Sequence, residues 1–252
     1  MNNTGKKNCK LKMNNLSKSI SLLLGFLFFT SFLQVQSQKQ PQDWANLKRY
    51  QRENDTLMKQ PIPKNRVVFM GNSITQGWKK ARPDFFISNP YLCRGISGQT
   101  TPQMMLRFRQ DVIQLKPKVV VILAGTNDIA GNTGPSTLAM IMDNITSMTE
   151  LAVANNIHPI LCSILPAYDY PWRTGKEPNV KIPQLNAMIK AYAQKKGVMY
   201  VDYFSAMADD KNAMIAEYTT DGVHCTPKGY ELMERIIVPE INKMLKKKCR
   251  RR

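Results

Sequence analysis

Residues 67–78 read VVFMGNSITQGW, an apolar run that breaks off into Gly71, Asn72 and Ser73. All three are ordinary turn formers. A serine at the end of a buried strand is also where a nucleophile would stand, if a base is within reach. The chain has two histidines, His158 and His224. His158 opens the apolar run IHPILCSI, so it is expected at the amino edge of a sheet in a structural role. His224 lies in TTDGVHCTPKG, three residues after Asp221. A turn of that length can fold the carboxylate back onto the imidazole, fixing its tautomer and stabilising the imidazolium. Read alone, DGVH serves equally well as a turn before a helix capped by Thr226.

Attack on an acyl group needs donors for the oxygen that becomes negative. Gly98 in GISGQTT can offer a backbone N–H with no side chain in the way. Asn127 in GTND offers a neutral side-chain N–H, and the Ser73 N–H makes a third donor. Gly98, Gly125 and Asn127 are also common loop residues. Two look-alike motifs fail. GISGQ resembles the G-x-S-x-G nucleophile elbow around Ser97, but Gln99 replaces the closing glycine. GNSITQG resembles a phosphate loop, but Trp78 stands where the lysine is required.

Positioning these groups falls to an alternation of elements. RVVFM (66–70), YLCRGI (91–96), KVVVILA (118–124), IHPILCSI (157–164) and VMYVDY (198–203) are short runs suited to strands buried on both faces. Helical stretches are expected near 101–115, 136–155, 182–196 and 227–247, with Thr101 and Thr226 as caps before Pro102 and Pro227. DWANLKRYQRENDTLMK reads as an amphipathic helix laid against the domain. Strand alternating with helix predicts a doubly wound α/β domain with its chemistry at the carboxyl ends of the strands. Ser73, Gly98, Asn127 and the 221–224 turn all fall at or beyond such ends.

The net charge of +18 suggests a nucleic-acid or membrane partner until its distribution is considered. Five lysines precede SLLLGFLFFTSFL and the small-residue exit Val35-Gln36-Ser37. That order is a secretory leader. Seven further cations lie in KMLKKKCRRR, leaving about +6 for the body. The expected organisation is a signal peptide at 1–37, one domain at 38–247 and a basic tail at 248–252. The protein is expected to be exported, periplasmic or secreted, with no membrane span after cleavage and no nucleic-acid partner. Cysteines 93, 162, 225 and 249 show no CxxC spacing, and no metal-ligand cluster is visible.

The ordered blocks GNSIT, GISGQTT, GTND and DGVH resemble the SGNH hydrolases, the GDSL-type esterases and lipases. Within that family the chain is most similar to acylhydrolases of the platelet-activating-factor acetylhydrolase and lysophospholipase L1/thioesterase I types. The resemblance implies a three-layer α/β/α flavodoxin-like fold with about five parallel strands. It implies Ser73 as nucleophile, His224 as base, Asp221 as its partner, and Ser73, Gly98 and Asn127 as oxyanion donors. The family's first block is usually Gly-Asp-Ser. Here Asn72 replaces the aspartate, and Gln99 replaces a common aspartate in the second block.

The expected activity is hydrolysis of a carboxylic ester through an acyl-enzyme, with no metal and no organic cofactor. The expected partner is a small-molecule or glycan-linked ester, carrying a short acyl group such as acetyl because no long apolar lid is visible. Alternatives are a lysophospholipase or thioesterase acting on longer chains, and a non-catalytic binding protein on the same fold. Asn72 and the aromatic loop residues Tyr168, Tyr170 and Trp172 are expected to flank the substrate. The three aromatics could stack on a sugar, line an acyl groove, or pack the loop.

Overall fold

The computed structural model describes residues 43–247. The leader and basic tail expected from the sequence lie outside the described residues. After a 3₁₀ turn at Leu47–Arg49, the elements run α1 (Gln51–Met58), β1 (Val67–Gly71), α2 (Ser73–Ala81), α3 (Pro83–Ile87), β2 (Tyr91–Gly95) and α4 (Thr101–Asp111). They continue with β3 (Val119–Leu123), α5 (Thr126–Ile129), α6 (Leu138–Ala154), β4 (His158–Cys162), α7 (Pro178–Lys196), β5 (Met199–Val201), α8 (Phe204–Met207) and α9 (Pro227–Lys246).

The five strands form one parallel sheet in the order β2-β1-β3-β4-β5. Every residue of β1 and β3 is buried, as continuous β-branched runs require when helices cover both faces. Alternate side chains divide between two cores. Val68, Met70, Val120, Ile122 and Leu161 pack with Met104 and Phe108 of α4, Ile145 and Met148 of α6, and Leu185 of α7. Val67, Phe69, Val119, Val121 and Ile160 pack with Ile74 and Trp78 of α2, Phe86 of α3, and Met233 and Ile237 of α9. This is the three-layer α/β/α arrangement.

Three local expectations change. Residues 73–87, given no element from the sequence, form α2 and α3. The cap of α4 is Thr100 rather than Thr101: Thr100 and Gln103 make a reciprocal capping box, while Thr101 is the first helical residue. The N-terminal segment docks largely through polar groups. Asn54 of α1 is buried and donates to Asp111 Oδ1 at 2.6 Å, and Arg94 donates to Asn54 Oδ1 at 2.8 and 3.1 Å. His158 begins β4 opposite Val119, the first residue of β3, so it lies at the amino edge as expected.

The first turn of α2 lies directly on the end of β2. A Cβ at Gly95 would stand 2.3 Å from the Gln76 backbone nitrogen and 2.8 Å from the Asn72 carbonyl oxygen. Neither backbone atom can give way without moving the helix. Gly95→Ala is therefore expected to lower the midpoint of urea unfolding at unchanged slope, with a loss of about 1–3 kcal/mol. A variant as stable as the parent would show that this contact is not close-packed.

Candidate active site

Ser73 is the first residue of α2, immediately beyond β1, and β1 lies between β2 and β3 in the sheet. The loop after β2 and the start of α5 after β3 therefore flank it. Those two segments carry Gly98 and Asn127. Gly98 has φ +75°, a backbone region glycine enters at no steric cost, and a Cβ there would meet nothing within 4 Å. Asn127 is buried, and its Nδ2 donates to the Gln99 carbonyl at 2.9 Å, leaving its second amide proton for another acceptor.

His224 and Asp221 come from the turn before α9. His224 Nε2 is 2.9 Å from Ser73 Oγ, and His224 Nδ1 is 2.7 Å from Asp221 Oδ2. The second carboxylate oxygen accepts the backbone N–H groups of His224 at 2.7 Å and Val223 at 3.0 Å. Burial pushes the Asp221 carboxyl up, but these backbone donors and the imidazole outweigh it and hold the group below its ordinary value. With Nδ1–H donated to Asp221, Nε2 is the ring atom left to accept the Ser73 proton. Thr219 Oγ1 accepts from Gly222 N–H at 2.8 Å and donates to the His224 carbonyl at 3.0 Å, fixing the turn internally.

Two clamps set the distance between α2, which begins with the serine, and α9, which follows the histidine turn. Tyr230 of α9 donates to the Ile74 carbonyl of α2 at 2.9 Å and stacks on Trp78 at 5.7 Å. Trp78 Nε1 donates to Glu234 at 3.0 Å, and Arg82 bridges Glu231 and Glu234. Behind the loop that carries Gly98 lies the fully buried Arg107 of α4. Its guanidinium donates to the Gly71 carbonyl at 3.0 Å, the Arg94 carbonyl at 2.8 Å, Gln99 Oε1 at 2.6 Å and Asp111 Oδ2 at 2.9 Å.

Sequence reasoning missed Arg107, although a signal existed. On α4, Met104, Arg107, Phe108 and Asp111 share one helical face, so a charged pair at i,i+4 sits on an otherwise apolar stripe. Asn132 was also missed and has no comparable signal. Its Nδ2 donates to the Gly98 carbonyl at 3.1 Å, and its Oδ1 lies 3.4 Å from Trp172 Nε1.

The proposed flanking residues divide. Asn72 is buried at 1% exposure and caps α2, its side chain accepting the Ile74 N–H at 3.1 Å. It caps the helix that Ser73 begins, a function an asparagine performs as well as an aspartate. Tyr170 is also fully buried, with its hydroxyl 2.9 Å from Thr126 Oγ1, so it packs the loop. Tyr168 and Trp172 are exposed, and the Trp172 ring centre is 6.0 Å from that of His224. Ser97 is exposed in the loop, and its N–H donates to Gln76 Oε1 at 2.8 Å.

The profile of the GDSL-like Lipase/Acylhydrolase family matches residues 69–232, more than half of the chain. A structure from Bacteroides fragilis NCTC 9343 described as a candidate acylhydrolase is 50% identical, with a TM-score of 0.79, covering 81% of this chain and 100% of that one. A GDSL-like lipase from Bacteroides thetaiotaomicron VPI-5482 is 48% identical, with a TM-score of 0.77, covering 80% and 99%. The uncharacterized lipoprotein YqeF of Bacillus subtilis (strain 168) is 39% identical over 75 residues, 29% of this chain and 31% of that protein's length.

Asp128, next to Asn127, accepts from the Thr101 N–H at 2.9 Å and the Thr101 hydroxyl at 2.5 Å. Burial pushes its carboxyl up from 3.8 to about 6 despite these bonds. The folded chain then holds a proton that the unfolded chain releases, so stability is highest below the unfolded value and falls as pH rises through about 6. Relative to Asp128→Asn, the parent protein is expected to lose about 3 kcal/mol between acidic and neutral pH, followed by urea unfolding. Parallel pH curves for the two proteins would refute the raised value.

Proposed function

This chain belongs to the GDSL-like Lipase/Acylhydrolase family, and from that premise we propose that it is a serine esterase with Ser73, His224 and Asp221 as its catalytic residues. The observation that carries this reading is the continuous hydrogen-bonded chain from Asp221 through His224 to Ser73, with links of 2.7 and 2.9 Å. It lies at the carboxyl ends of parallel strands, where this fold class collects its chemistry.

In this mechanism Ser73 Oγ attacks the ester carbonyl carbon as Nε2 of His224 takes its proton. The tetrahedral oxyanion is held by the Ser73 and Gly98 N–H groups and the free amide proton of Asn127. Collapse expels the alkoxide, which takes the proton back from Nε2. Water then attacks the acyl-serine by the same route, releasing the acid and restoring the serine. Asp221 stays ionised throughout and stabilises the imidazolium, consistent with a carboxyl held below its ordinary range.

A short acyl group is the favoured substrate. This rests on the sequence: the segment LPAYDYPWRTGKEP at 165–178 carries no long apolar lid that would cover a fatty chain. We also propose that the chain is exported, on the strength of its basic-apolar-small N-terminal order. Among the described residues, no helix is long and apolar enough to cross a membrane.

Ser73→Ala and His224→Ala are each expected to lower kcat/KM for p-nitrophenyl acetate at least about a thousandfold while leaving the unfolding midpoint close to the parent's. Retention of full activity by either would overturn the assignment. Across p-nitrophenyl esters from acetate through butyrate and octanoate to laurate, kcat/KM is expected to peak at the short end. A maximum at laurate would favour the lysophospholipase or thioesterase alternative. N-terminal sequencing of protein recovered outside the cytoplasm is expected to begin after Ser37; recovery of the chain only inside, starting at Met1, would defeat the export reading.

A further inference from the structure

Building on the esterase reading, we propose that Gln76 and Asn132 are positioning residues for the Gly98 N–H, holding the peptide units on either side of it by hydrogen bonds of opposite sense. From Gly95 to Thr100 the backbone is tied down unit by unit. The Gly95 carbonyl accepts from the Tyr50 hydroxyl at 2.6 Å, and the Ile96 N–H donates to the Gly71 carbonyl at 3.2 Å. The Ile96 carbonyl accepts from the Gln99 N–H at 3.3 Å, and the Ser97 N–H donates to Gln76 Oε1 at 2.8 Å. The Gly98 carbonyl accepts from Asn132 Nδ2 at 3.1 Å. The Gln99 carbonyl accepts from Asn127 Nδ2 at 2.9 Å, and the Thr100 N–H donates to Gln103 Oε1 at 3.0 Å. The unit joining Ser97 to Gly98 differs: among the described residues, neither its carbonyl nor its N–H has a partner.

That free unit is the centre of a tight turn. The bond from the Gln99 N–H to the Ile96 carbonyl closes four residues, and φ +75° at Gly98, the third of them, is the type II value. The two anchors stand on the turn's shoulders and come from the segments that carry the other two donors. Gln76 lies three residues after Ser73 on α2, so it registers the turn against the helix that supplies the Ser73 N–H. Asn132 follows α5, and its own N–H donates to the Asn127 carbonyl at 3.0 Å, so it registers the turn against the segment that supplies Asn127. The three donors assigned to the oxyanion are thereby braced against one another before a substrate arrives. Such preorganisation is what makes donors effective, since they must stand about 2.7–3.1 Å from the oxygen as its charge develops.

The sense of each bond is fixed by chemistry. Gln76 faces an N–H and must accept, so a carboxylate can replace its amide. Asn132 faces a carbonyl and must donate, so a carboxylate cannot replace it. Arg49, Lys79 and Lys80 line the recess beside Gln76 and would offset the charge of Gln76→Glu.

The test is hydrolysis of p-nitrophenyl acetate by five variants of the full chain, with urea unfolding of each. Gln76→Met and Asn132→Ala are each expected to lower kcat and kcat/KM together by about five- to tenfold, the pattern of a contact that matters only in the transition state. Gln76→Glu should recover most of the Gln76→Met loss, whereas Asn132→Asp should fall at least as far as Asn132→Ala. Unfolding midpoints should stay close to the parent's. Parent-like kinetics in Gln76→Met or Asn132→Ala overturn the proposal, as does a loss confined to KM. So does a Gln76→Glu no better than Gln76→Met, an Asn132→Asp as active as the parent, or a loss that follows the unfolding midpoint. Ser73→Ala, the fifth variant, separates the two readings. Hydrolysis that Ser73→Ala abolishes but the anchor variants leave intact removes the positioning roles alone. Hydrolysis that survives Ser73→Ala removes the esterase reading itself.

Discussion

The buried guanidinium of Arg107 ties together the carboxyl end of this sheet. Arg107 cannot leave its charge unpaired in the interior, because an uncompensated buried ion costs several kcal/mol. Burial alone pushes its proton affinity down, and Asp111 opposes that. Three more of its donors go to two strand-end carbonyls, at Gly71 of β1 and Arg94 of β2, and to Gln99 Oε1 in the loop that carries Gly98. Gln99 in turn donates to the Ala45 carbonyl and accepts, through its own carbonyl, from Asn127. The strand that delivers Ser73, the loop that carries Gly98 and the side chain of Asn127 are thus positioned through one charge-compensation requirement.

The opposite half of the site is built differently. The 219–226 turn carries its own hydrogen bonds and would hold Asp221 against His224 wherever it were placed. Its placement depends on α9, whose Tyr230 and Glu234 grip α2 at Ile74 and Trp78. The pair Ser73 and His224, 151 residues apart in sequence, meet because α2 and the helix that follows the histidine turn, α9, share one apolar layer. The Ser73–His224 contact is a consequence of core packing on that face.

Much of the architecture was legible in the sequence, for an identifiable reason. The strands are short, β-branched and buried on both faces, so each reads as a continuous apolar run that only a covered parallel sheet accommodates. The α1 segment was harder, because its inward face is polar and the expected apolar stripe is replaced by Asn54 bonded to Asp111 and Arg94. Capping at Thr100 rather than Thr101 turned on a single residue of register. Tyr168, Tyr170 and Trp172 are close in sequence and similar in composition, yet one is buried and two are exposed. Loop path decides that, and no periodicity encodes it.

The order and spacing of GNSIT, GISGQTT, GTND and DGVH determined which residues would stand at strand ends, because strand length and the exit to each loop are local properties. Which of those residues touch was decided by tertiary structure alone. Asn72 is the clearest case. From the sequence it is a turn residue beside the nucleophile and a departure from the usual aspartate. In the fold it is buried, and its side-chain oxygen caps the helix that Ser73 begins. Capping requires an acceptor and no charge. Whether a side chain so close to Ser73 faces ligand or backbone depends on how the helix sits against β2, and that is set by contacts from distant parts of the chain.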